Sequence, residues 1–203
     1  SVEVRQRILE VAIAQFARFG VRTITMEDLA RQVGVSKKTI YQEFEDKKDL
    51  VKAVFETILI EDTKRLDFIS GQLDGVIEHL VNTSKMMRER LTSINPLVIL
   101  EIQKYFPEAW SYFESFKEDV IKADLINVLE RGKALGYFRP EIDSHILAKV
   151  RLSQITQAFD PKNFADPSYN LVEEQMIVLD HFLHGIFSEK GRQAYLTQKD
   201  LLN

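Results

Sequence analysis

Apolar residues recur at intervals of three and four along almost the whole chain, and no segment alternates cleanly with period two. The pattern predicts an all-α protein. Over residues 3–19, Leu9, Ala12, Ile13, Phe16 and Phe19 form one stripe, ended by Gly20. A longer helix is predicted from Asp46 past Phe55 and Ile58 towards Leu66, with a break between Gly71 and Gly75. Further helices are predicted over 74–91, 95–105, 108–135, 144–159 and 170–187. Their ends carry punctuation. Asn95-Pro96 and Pro107 open helices, because proline suits the first turn. Gly136 closes one, Asp143 or Ser144 caps the next, and Asp160-Pro161 and Asp166-Pro167 bracket a loop.

Between the first two long helices lies a denser pattern. Thr25 can cap a short helix, with Asp28 three residues on as its capping-box partner. Ala30 is small enough for a second helix to cross closely, and Gly34 can take the positive φ that ends the first. Ser36 is a good N-cap for the second helix, and Val35 and Ile40 would plug the crevice between the two. This is a helix-turn-helix pattern, whose second helix enters the DNA major groove.

The charges nearby fit that use. The second short helix opens on Lys37 and Lys38, and the following one on Lys47 and Lys48. Cations in a first turn oppose the helix dipole, at roughly 0.3–1 kcal/mol each at low salt. Local rules tend to be broken where function sits. Two helix N-termini with bare N–H groups and lysines make a phosphate clamp. The plainer alternative is that surface lysines fell there by chance.

Taken in order, the chain shows Ile8, Leu9, Ala12, Phe16 and Gly20; then Thr23, Ile24, Thr25, Met26, Leu29 and Ala30; then Gly34, Val35, Ser36, Lys37, Thr39, Ile40, Tyr41, Phe44, Lys47 and Leu50. With these residues, positions 5–55 resemble the N-terminal domain of TetR-family transcriptional regulators. The resemblance covers about a quarter of the chain. It implies a three-helix helix-turn-helix domain at 1–50 and a helical ligand-sensing and dimerisation domain at 51–203. It further implies that Thr25, Thr39, Tyr41 and Lys47 hold phosphates, while Lys37, Lys38 and Gln42 face bases. Ser36, as the cap of the reading helix, joins that set. Two positions depart from the family pattern. Lys38 stands where a small residue is frequent, and Glu43 where an aromatic or histidine is frequent. An acid at 43 would repel phosphate, so either Glu43 points away or the last turn of this helix does not touch the DNA backbone.

Composition sets outer bounds. With 203 residues, 45% hydrophobic and 29% charged, the chain is globular and large enough for a sizeable core. It has no cysteine, so no disulfide or thiol chemistry. No apolar run approaches the ~20 residues that span a bilayer, and no membrane association is expected. Residues 1–5 lack the basic-then-apolar shape of a signal peptide, so a cytoplasmic location is expected. A net charge of −4 argues against general coating of DNA. Residues 1–50, however, hold nine Lys/Arg against eight Asp/Glu, and 51–203 hold eighteen against twenty-three. Cationic charge is therefore local, which suits sequence readout with a modest phosphate footprint.

The last two predicted helices bear on assembly. Residues 144–159 carry Ile146, Leu147, Val150, Leu152, Ile155, Ala158 and Phe159. Residues 170–187 are apolar around more than half the circumference, including Leu179 and Phe182. A stripe of about 100° suffices for one core. The excess fits either a central core helix or a homodimer seam through 144–187, and the family resemblance implies the latter. In the middle of the chain, Tyr105, Phe106, Trp110, Tyr112, Phe113 and Phe116 crowd together, with Met86 and Met87 on the preceding helix. At helical spacing such residues are commonly core. The resemblance implies an effector cavity there, bordered by Met86, Met87, Phe106, Trp110 and Phe113, for an apolar or amphipathic small molecule.

No enzyme is expected. The chain lacks a Gly-rich phosphate loop, a Gly-x-Ser-x-Gly elbow and a cysteine nucleophile, and no catalytic residue or cofactor is assigned. Glu61-Asp62 and Glu173-Glu174 are adjacent pairs on different helix faces and read as solvated charge. His181 and His184 have metal-capable spacing but no evident third ligand, so no metal is assigned. The expected function is a ligand-responsive repressor binding a palindromic operator in double-stranded DNA as a dimer. The alternatives are a helical binding protein or enzyme that keeps the helix-turn-helix only as a packing unit, and a regulator with no ligand.

Overall fold

The computed structural model describes residues 1–72 and 75–202, and its regular secondary structure is helical apart from one isolated β-bridge between Phe138 and Phe187. The chain divides into two compact units. The first comprises residues 1–62 and 93–114; the second comprises 63–92 and 115–203.

The first unit is built from α1 (Val2–Phe19), α2 (Met26–Val33), α3 (Lys37–Glu43), the first part of α4 (Lys47–Gln72), α6 (Pro96–Tyr105) and most of α7 (Pro107–Phe116). Its core gathers Ile8, Ala12 and Phe16 of α1, Leu29 of α2, Ile40 of α3 and Leu50, Val51 and Val54 of α4. Ile102 of α6 and Ala109 of α7 join the same core. The sequence stripe of α1 holds except at its end. Phe19 is exposed and lies under the Arg18 guanidinium, while Ile8 takes the buried place. α4 runs on through Gly71 to Gln72, beyond the expected end near Leu66. Residues 73–74, which belong to the expected break and the expected start of the next helix, lie outside the described residues.

The second unit contains α5 (Val76–Ser93), α8 (Lys122–Ala134), α9 (Ser144–Ala158), α10 (Pro161–Phe164), α11 (Leu171–Ile186) and α12 (Glu189–Leu202). The predicted helix over 108–135 is interrupted by a π-helical turn, Lys117–Ile121. The period of the apolar residues barely registers one extra residue in a turn. Asp143 caps α9, accepting from Ile146 N at 2.9 Å. Residues expected as loop after Asp160 form the single turn of α10. α12 was not predicted, because its few apolar positions are diluted by charge. The core joins Val76, Ile77 and Leu80 of α5, Val128 and Leu129 of α8, and Phe182, Leu183 and Ile186 of α11 around Phe138 and Phe187.

Polar side chains are also buried, one of them against expectation. Asp62 is buried rather than solvated. His79 is also buried: its Nε2 lies 3.0 Å from Asp124 Oδ2, and among the described residues Nδ1 has no hydrogen-bond partner. Ser70 donates to the other oxygen of Asp124 at 3.0 Å.

Candidate DNA-binding surface

The surface is assembled by capping. Thr25 and Asp28 form the full capping box at the start of α2, with Asp28 N to Thr25 Oγ1 at 3.0 Å and Thr25 N to Asp28 Oδ2 at 2.9 Å. Those bonds hold the Asp28 carboxyl below its ordinary range. α2 ends at Gly34, whose φ of 81° is left-handed, and Gly34 N and Val35 N both donate to Ala30 O at 2.9 Å. Ala30 is buried, as its small size requires. Ser36 then caps α3, accepting from Thr39 N at 3.0 Å. Ile40 alone of the α3 residues is fully buried and pins the helix to the core.

The rest of α3 faces outwards. Lys37, Lys38, Tyr41 and Gln42 are all exposed, Tyr41 at 44%. At about 100° per residue they cover one side of the helix, with Ile40 opposite. Ser36 and Thr25 are exposed at the two helix starts, and Thr39 is half-buried. The Lys37 ammonium pairs with Glu27 of α2. That bond raises the lysine pKa and lowers that of the glutamate. Lys47 is half-buried at the start of α4, with Nζ 3.4 Å from Arg22 O. Burial pulls its pKa down, opposed by the charge of Glu101.

Glu43 points away from this surface. Its carboxylate meets the amino group of Ser1 at 2.5 Å, and its carbonyl accepts from Arg5 Nη1 at 2.6 Å. Arg5 also lies over the Phe44 ring, 4.2 Å from its centroid. Arg7 donates to Val33 O at 2.7 Å. Arg5 and Arg7 of α1 thus satisfy carbonyls at the ends of α3 and α2. Sequence reasoning did not assign them.

Glu101 supports the same surface from α6. This buried carboxylate of α6 accepts from Val21 N at 3.3 Å and Arg22 N at 2.6 Å, holding the turn between α1 and α2. The Arg22 guanidinium lies 4.0 Å from the Tyr105 ring centroid. The signal was present: a lone acid among the apolar residues of α6 needs a buried donor.

The residues expected to border a cavity fall into two groups. Phe106, Trp110 and Phe113 belong to the first unit and Met86 and Met87 to the second. Phe106 and Trp110 pack against the first core, and the Trp110 ring is 4.9 Å from Phe113 and 6.2 Å from Phe55. Met87 Sδ accepts from Arg151 Nη2 at 3.5 Å. His184 Nδ1 lies 2.9 Å from Asp180 O, and its ring meets Phe187 and Tyr195 edge-on. Among the described residues no three His, Asp or Glu side chains are grouped to hold a metal ion.

Residues 8–54, the capped helices just described, match the family model for bacterial regulatory proteins of the tetR family. The chain belongs to the TetR family. An HTH-type transcriptional regulator of Bacillus subtilis, YvaF, is 25% identical over 176 residues, covering 85% of this chain and 90% of that protein. A putative transcriptional regulator from Saccharomonospora viridis, solved with choline, shares the fold at a TM-score of 0.72 and 20% identity, over 93% of this chain and all of that one. The FadR regulator of Bacillus subtilis, solved with stearoyl-CoA, does so at 0.66 and 20%, over 89% and 98%. As a TetR-family protein this chain is a DNA-binding transcriptional regulator and not an enzyme. Among the described residues no helix is long and apolar enough to cross a membrane.

Proposed function

We propose that this TetR-family regulator is a repressor that binds a palindromic operator as a homodimer and leaves it when a small molecule binds the C-terminal part of the chain. The reading rests on α3, whose one buried residue fixes it while Lys37, Lys38, Tyr41 and Gln42 stand exposed. Thr25, Ser36, Thr39, Tyr41 and Lys47 would hold phosphates; Lys37, Lys38 and Gln42 would meet bases. The work is placed in the cytoplasm, where bacterial DNA lies. Relatives of like fold solved with choline and stearoyl-CoA support a small-molecule effector. An effector that favours one arrangement of the dimer must weaken the operator by the same factor by which the operator weakens the effector.

A gel shift with the DNA upstream of the chain's own gene tests the reading; no shift would remove it. Within that assay, Lys47→Ala and Tyr41→Phe are expected to weaken binding about equally on all sequences, because they touch phosphate. Gln42→Ala or Lys37→Ala is expected to change sequence preference, at roughly 1–3 kcal/mol for the base read. Unchanged affinity and salt slope in Lys47→Ala would remove the phosphate assignment.

The dimer seam is proposed along 144–187. Phe182, Leu183 and Ile186 are consumed by the second unit's own core, Leu171 is also buried, and α9 packs on α11. What is left over is Ile146 at 57% and Val150 at 42% exposure, one turn apart on α9, and Ile177 at 62% on α11. These three would supply apolar surface for the seam that a helix-turn-helix dimer reading two half-sites needs. The double variant Val150→Glu, Ile177→Glu is expected to sediment as a folded monomer and lose operator binding. A folded double variant that stays dimeric would place the seam elsewhere.

A further inference from the structure

Arg151 stands in the middle of α9 and is only 5% exposed. A guanidinium carries five N–H donors and keeps its charge. Here it meets two neutral acceptors among the described residues: Nη1 donates to Gln154 Oε1 at 3.2 Å and Nη2 to Met87 Sδ at 3.5 Å. A thioether is a weak acceptor. Among the described residues no carboxylate pairs with the group, and burial alone pulls its pKa down, to about 10. It is still a cation at neutral pH. Charges this deeply buried are ordinarily paired, because an uncompensated one is strongly destabilising.

The surroundings suit a ligand that is apolar beyond its charge. Ala148 and Leu152 on α9 and Leu91 on α5 are buried on the two helices that bring Arg151 and Met87 together. A second feature points to the same helix. The π-helical turn Lys117–Ile121 delivers Lys117, 4% exposed, to Thr156 Oγ1 at 2.5 Å, five residues along α9 from Arg151. Such turns recur at functional sites.

We propose that Arg151 anchors an effector site in the second unit, between α5 and α9, that takes a small organic anion: a carboxylate or phosphate carried on an apolar body. The guanidinium fork matches either group with two parallel N–H bonds, which a lysine could not supply. The proposal deepens the effector reading above and rests on it for release of DNA, but not for binding.

The test uses the full chain without DNA. Thermal unfolding is followed with decanoate, with decyl phosphate and with decanol, each below its micellar concentration. The expected result is a saturable rise in melting temperature with one or both anions and none with decanol. The better anion identifies the head group. Arg151→Met is expected to melt higher than the wild type when unliganded, because it removes a buried unpaired charge, and to bind the anion at least tenfold more weakly. Arg151→Lys is expected to lie between, and serves if the methionine variant fails to fold. Equal responses to decanol and the anions, or full anion affinity in either variant, would overturn the site. A wild type that ignores both anions yet shifts its operator would also overturn it, and would leave the regulator reading standing.

Discussion

Glu101→Ala is expected to cost the first unit roughly 2–6 kcal/mol and to abolish operator binding at working temperatures. Two backbone donors, Val21 N and Arg22 N, depend on this carboxylate, and Val21 is fully buried. Stranding a buried donor costs about 1–3 kcal/mol. The turn they belong to fixes the angle at which α2, and through it α3, leaves α1. Gly20 tightens the constraint. Its φ of 85° suits glycine, and a Cβ there would stand 2.6 Å from Glu101 Oε1. Glu101→Gln, which retains one acceptor oxygen, is expected to lose about half as much. Chemical denaturation of the full chain reads the stability, and operator anisotropy reads the function. A loss below ~1 kcal/mol in Glu101→Ala would mean that water replaces the carboxylate and that the clamp is dispensable.

Gly132→Ala is expected to destabilise the second unit by about 3 kcal/mol or more, at the upper end of overpacking costs. A Cβ at this position of α8 would lie 2.1 Å from the buried Phe138 ring. That ring cannot retreat, because it stacks on Phe187 with centroids 6.0 Å apart, and Phe187 packs on Tyr195 at 5.1 Å. The backbone is committed too, since Gly132 O accepts from Tyr137 N at 2.9 Å and Phe138 N at 3.2 Å. Gly185→Ala on α11 is the control. Nothing lies within 4 Å of its Cβ position, so helix propensity should raise stability by about 1 kcal/mol. Denaturation midpoints of the two variants should therefore move in opposite directions. Equal shifts would remove the close-packing account.

The sequence was most legible where one local rule decided one local bond. Thr25, Gly34, Ser36 and Asp143 each satisfy a helix end within four residues of themselves, and all four are found capping as expected. The expected burial of Ala30 and Ile40 followed from the same short motif. Legibility failed where partners are distant. Glu101 meets the turn after α1 across 79 and 80 residues, and Arg7 meets Val33 across 26. No spacing rule reaches so far. The aromatic crowd at 105–116 was ambiguous for a related reason. Apolar side chains at helical spacing look alike whether they face core or cavity, and the packing of Phe106 and Trp110 against the first core had to come from the fold. On α11 the periodicity disclosed an excess of apolar surface but not which residues formed it. Phe182 proved internal and Ile177 external.

The Glu27–Lys37 pair has a bearing on how the protein finds its operator. A chromosome offers ~10⁶ or more competing sites, and adhesion to them comes almost wholly from cations meeting phosphates. Lys37, on the reading helix itself, is already engaged by an acid of its own chain before any DNA arrives. Random duplex must break that bond for a mere exchange of one anion for another. A correct base, offering a well-placed acceptor, gives more in return. If Lys37 meets a base as proposed, the glutamate would lower the stickiness of the scanning protein more than its grip on the operator, and would shorten the time lost at each wrong stop.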